Sequence, residues 1–170
     1  MRKTFEPIDD LLIERLFQPV LDMVAHRTGL SRPAACCFCV DMASLAWIVS
    51  RVRELSDAIG KWDPGSAFVD IAILMLGLVA LACLRTLFRR AGNKQANPLR
   101  PAMQPHRAVV LLMLAARVVQ LQAPTLMAAA DLSMLLFAAS ALYLGACVER
   151  PPMRRGFALH HARVDVAVSP

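Results

Sequence analysis

The stretch SAFVDIAILMLGLVALACLRTLF, residues 66–88, decides the fold, because from Ile71 to Leu84 it carries no charge at all. A bilayer hydrocarbon core takes about 20 predominantly apolar residues per helix, and this segment has that length and that character. The rest of the chain repeats the pattern in weaker forms. Leu126–Val148 holds one charge, Asp131, and Pro33–Ser50 is interrupted only by Asp41. Ala108–Ala123 is the weakest, with Arg117 inside it and Gln120 and Gln122 near its end.

Composition agrees with this reading. Hydrophobic residues make up 57% of the 170-residue chain and charged residues 19%, against roughly 45–50% and about 25% in soluble domains. Mean hydropathy is +0.49. Such a chain is too apolar to be disordered, and a protein this small cannot hide that much apolar surface in a soluble core. The expected fold is all-α: an integral membrane four-helix bundle with spans at about 33–50, 66–88, 108–123 and 125–148.

The prolines mark the same limits. Proline removes a backbone donor and clashes inside a helix, but is accepted in the first turn and in linkers. Pro33 opens the first span and Asp63-Pro64 can cap the second. Pro98, Pro101 and Pro105 break the middle loop, Pro124 separates the last two spans, and Pro151-Pro152 follows the fourth.

Residues 1–32 form a separate arm. Ile8, Leu12, Leu16, Val20 and Val24 recur every four residues, with Asp9, Asp10, Glu14, Arg15 and Asp22 between them. That spacing predicts an amphipathic helix, closed by Gly29 and bent at Pro19. It suits the membrane interface, a groove on a partner, or a place beneath the chain's own spans. The arm lacks the charged-then-apolar layout and small-residue cleavage site of a secretory signal. At the other end, 149–170, with His160-His161, is expected to be a flexible tail.

Lys and Arg set orientation in membranes. With four spans and both ends on one side, that side collects fourteen of them and the other only three. The arm, the loop 89–107 and the tail are then cytoplasmic, and the net charge of +6 reflects topology rather than nucleic-acid binding. The loop's Arg89, Arg90, Lys94, Arg100 and Arg107, with no acid among them, are candidates for anionic lipid headgroups. The Arg, Ala and Leu usage hints at a GC-rich bacterial genome, hence an inner (plasma) membrane.

Charged residues within membrane spans are costly and mark function by default. Four stand out: Asp41, Asp70, Arg117 and Asp131. Arg117 and Asp131 each lie seven residues from Pro124. At a rise of about 1.5 Å per residue, a tight hairpin brings both to a depth of about 10 Å on neighbouring helices, so an Arg–Asp pair is expected there. Asp70, near the outer end of its span, could join them. Asp41 is expected to lack an internal cation, since Arg85 sits near the cytoplasmic end and can snorkel to the surface.

The five cysteines, Cys36, Cys37, Cys39, Cys83 and Cys147, gather near the cytoplasmic side. CCFC lacks the C-x₂-C spacing of zinc knuckles, so packing is the expected role and no metal or other cofactor is assigned. Ala35–Cys39–Ala43 and Ala141–Gly145 have the small-xxx-small spacing of close-packed membrane helices, and Trp47 and Trp62 suit the outer interface. No catalytic motif is present, and no histidine lies in a span to ligate haem. The expected function is a non-catalytic multi-pass subunit of a larger inner-membrane complex of secretion, respiratory or photosynthetic type, with homo-oligomers also compatible. The alternative is a small oligomeric transporter or channel coupling ions through these intramembrane charges.

Overall fold

The computed structural model describes residues 2–61, 64–91, 99–120 and 125–148. Lys94, Trp62, Asp63, Pro124 and the tail 149–170, each given a part above, lie outside the described residues. The protein is all-helical, with no strand among the described residues.

The arm is helical from Arg2 to Thr28: α1 (Arg2–Leu12), one π-helical turn (Ile13–Phe17) and α2 (Gln18–Thr28). The π turn has a local cause. Pro19 has no N–H to give the carbonyl of Arg15, four residues back, and its ring crowds that carbonyl. The preceding turn widens, and the Gln18 N–H bonds Ile13 O, five residues back. The bend expected at Pro19 thus takes the form of an extra residue in the helix. In an uninterrupted α-helix Gln18 would point about 180° away from Asp9. The wider turn winds Gln18 and Leu21 back toward the side of Asp9 and Ile13, and these four residues are buried. The period-four stripe is therefore not the buried face: Ile8, Leu16 and Val20 are exposed, as are Leu11 and Met23.

Gly29 ends the arm at φ +69°, the left-handed conformation that glycine takes without strain, and its N–H bonds Ala25 O at 3.0 Å. Extended Ser31 then turns the chain into α3 (Arg32–Gly60). This helix runs ten residues past the expected end of the first span. Nothing breaks it between Pro33 and Gly60, the Arg51–Glu54 pair bridges one turn, and the Arg51 guanidinium lies 4.5 Å from the Trp47 ring centroid. The connection expected over 51–65 is therefore mostly helix. After it come α4 (Pro64–Arg90), the short α5 (Leu99–Ala102), α6 (Gln104–Val119) and α7 (Leu126–Ala146). The Thr125 hydroxyl caps α7 by accepting from the Ala128 N–H at 3.2 Å.

Three helices, α3, α4 and α7, are long and apolar enough to cross a membrane. The expected fourth span falls short: α6 has 16 residues, about 24 Å against a hydrocarbon core of about 30 Å.

Helix α7 forms the centre of the molecule. It is buried almost continuously from Ala138 to Ala146, where small residues flank Leu142, Tyr143 and Leu144. Its main neighbour is α3, which offers Ala35, Cys36, Val40 and Ala43. Helix α6 also packs on α7, and α4 packs on α3. Two glycines permit the closest approaches. A Cβ on Gly77 would stand 2.6 Å from Trp47 Cε2, and one on Gly145 would stand 3.1 Å from Phe88 Cδ1. Trp47, expected in an interfacial belt, instead lies across α4 and donates its indole N–H to Leu74 O at 3.3 Å.

Candidate functional site

The start of α3, the end of α4, the start of α6 and the end of α7 converge at one end of the bundle, and the arm lies across them. An amide and two arginines tie this end together. Arg32 donates to Cys147 O at 2.9 Å and to Ala91 O at 3.4 Å, so one cation reaches the carbonyl ends of both α7 and α4, where helix dipoles favour positive charge. The Gln18 amide donates to Val148 O at 2.9 Å and accepts from the Val148 N–H at 3.0 Å. It pairs with the chain after α7 as a neighbouring strand would.

The third tie is a buried ion pair. Arg107 donates through Nε to Asp9 Oδ1 at 2.9 Å and through Nη2 to Asp9 Oδ2 at 2.5 Å. The same Nη2 reaches Arg100 O at 3.0 Å. Both side chains are almost wholly enclosed, at 1% and 3% exposure. The guanidinium lies 5.6 Å from the Tyr143 ring centroid, and Phe17 stacks on Tyr143 at 4.8 Å. The fork geometry, the aromatic lid and the Arg100 carbonyl together offset the cost of taking two charges out of water. Around this core Arg100 holds Asp10 at 2.9 Å and Glu14 at 3.5 Å. The hydrogen bond that Arg100 donates to Asp10 pushes its guanidinium above its ordinary pKa.

These contacts correct two lipid-headgroup expectations. Arg107 is sealed inside the protein, and Arg100 is occupied by the arm's acids. Arg89 and Arg90 are exposed, and Lys94 lies outside the described residues.

The intramembrane charges sort differently from expectation at Asp41. Arg85 Nη2 stands 3.0 Å from Asp41 Oδ2, joining α4 to α3, so Asp41 has an internal cation and Arg85 is turned to it. Arg117 and Asp131 are brought to 3.6 Å across the α6–α7 hairpin. Asp70 is half-buried on α4 and makes no ion pair among the described residues.

Cys36 and Cys147 are buried among the apolar residues of this end, and Cys83 is exposed. No three His, Cys, Asp or Glu side chains converge as a metal set among the described residues. Beside the locked end, an apolar groove of about 570 Å³ opens between α4 and α6, with α7 as its floor.

Sequence reasoning missed Asp9, Gln18, Arg32 and Tyr143. A signal for the first was present: the arm carries five acids, Glu6, Asp9, Asp10, Glu14 and Asp22, while the loop 89–107 carries five bases and no acid. Two segments of such opposite charge attract each other. No protein family, no curated protein and no solved structure matches the chain.

Proposed function

We propose that this chain is a non-catalytic multi-pass membrane subunit that docks through α4 into a larger inner-membrane complex. The observation that carries the reading is the position of α4. It has the highest mean hydropathy of the three membrane-length helices, 2.6, yet none of its apolar window is buried within the chain, against 28% for α3 and for α7. Phe68 and Leu76 are more than 70% exposed. Apolar exposure alone suits lipid as well as protein, and Asp70 favours protein. A carboxylate on a lipid-facing helix is expensive, and a basic group on a neighbouring chain would relieve that cost.

The pairing of Asp41 with Arg85 and of Asp131 with Arg117 weighs against the ion-coupling alternative, because two of the three acids already have a cation. On this reading the arm, the loop 89–107 and both termini face the cytoplasm, as the Lys and Arg distribution favours. Helix α6 serves as a short fourth span, accommodated by local bilayer thinning. The arm's outward Ile8, Leu11, Leu16, Val20 and Met23 lie in the interface.

A photo-crosslinking residue at Leu76, in chain isolated from native membranes in mild detergent, tests the proposal. The expected result is a stoichiometric partner captured at 76, and lost on Asp70→Leu. Purification as a lone homo-oligomer with Asp41-dependent proton uptake would overturn it.

A further inference from the structure

The groove between α4 and α6 is lined by Leu81, Leu84 and Leu87 on one wall and Val109 and Val110 on the other, over Leu142. Its surface is almost wholly apolar. Along α4, Cys83 and Leu87 line it, and Arg90 continues that ridge at the i, i+4, i+7 spacing that keeps one side of a helix. His106, at the start of α6, lines the same end. The groove therefore has an apolar length and a mouth with hydrogen-bond donors and positive charge. Arg100 and Arg107 are held by the arm's acids, whereas Arg89 and Arg90 face outward.

We propose that this groove seats an acyl chain of an anionic phospholipid, with the phosphate held at the mouth by Arg90 and His106. Size and charge favour this occupant over a partner's helix. A volume of about 570 Å³ lies within the range of about 300–1,000 Å³ typical of small-ligand sites. A helix 10 Å wide running the length of α6 would displace roughly 1,900 Å³, and would lie on the groove rather than in it. The basic mouth calls for an anionic headgroup. The inference rests on membrane embedding and not on a partner chain, so a test on the isolated chain can succeed or fail whichever way the docking proposal falls.

The test is native mass spectrometry of the full chain, delipidated in mild detergent and titrated with dioleoyl phosphatidylglycerol, dioleoyl phosphatidylcholine or glycerol 3-phosphate. Phosphatidylglycerol should bind about tenfold more tightly than phosphatidylcholine, and glycerol 3-phosphate at the same concentration should not displace it. Ala80→Trp, which fills the groove from an exposed position on its wall, should weaken phosphatidylglycerol binding about tenfold. The variant Arg90→Glu should abolish the preference over phosphatidylcholine. Equal binding of the two lipids, displacement by glycerol 3-phosphate, or unchanged binding by Ala80→Trp would overturn the proposal. Should Ala80→Trp lose its helical circular dichroism, the charge-reversed variant decides, since its change is solvent-facing and a retained preference overturns the assignment. A bound protein displaced by Ala80→Trp while phosphatidylglycerol binding persists would overturn it too.

Discussion

Asp9 and Arg107 are 98 residues apart in the chain, and neither looks unusual where it stands in the sequence: one is an acid among acids on an arm, the other the last base of a loop. Enclosed together, each becomes costly without the other. Asp9→Leu or Arg107→Leu alone should destabilise the protein by about 3–5 kcal/mol, because the remaining charge is left buried and unpaired, while the double variant should recover much of that loss. Unfolding curves in detergent for the two singles and the double would check this, and losses that merely add would refute it. The pair at Arg117 and Asp131 could be found from sequence because a short hairpin ties its depth to a count from Pro124. Asp41 and Arg85 escaped the same logic, since Arg85 had an alternative in snorkelling that only the packing of α3 on α4 removes. The Asp9 pair lay furthest out of reach, as its partners are set by tertiary closure and not by local spacing.

At the scale of the helix, apolar runs and prolines located α4 and α7 well, because in a membrane segment both signals act within the segment itself. The ends and faces were less legible. Helix α3 continues past its apolar part because no breaker stops it before Gly60, and the arm buries a face that a regular 3.6-residue period does not describe. A single Pro19 displaced that face by one residue. Close approach of helices was only partly visible, since small-residue spacing is common in Ala-rich spans and Gly77 lies outside any such pattern. Yet Gly77 is where α4 admits the Trp47 ring. Gly77→Val should push the indole off α4, break its hydrogen bond to Leu74 O, and cost about 1–3 kcal/mol as overpacking does. A red shift and weakened protection from quenching in Trp47 fluorescence, read in a Trp62→Phe background, would report the movement. Unchanged emission would refute the packing assigned to Gly77.

For the molecule as a whole, the arm acts as a cross-brace whose tie to α7 is made only when the chain is complete through Val148. A chain ended at Val148 keeps the partner of Gln18, whereas one ended at Ala146 loses that partner together with the Cys147 carbonyl that Arg32 uses. The shorter chain should expose Arg15 and Arg27 to trypsin several-fold faster than the longer one, measured by time-resolved gel analysis of the solubilised protein. Equal rates would show that the brace does not depend on the end of α7. The same feature has a consequence in time. Synthesis at about 5–20 residues per second puts Arg107 roughly 5–20 s behind Asp9, and Val148 later still behind Gln18. Throughout that interval the arm waits for the partners that it closes on. It closes only once Arg107 and Val148 have been made, so a closed arm records that α3 to α7 have already been synthesised.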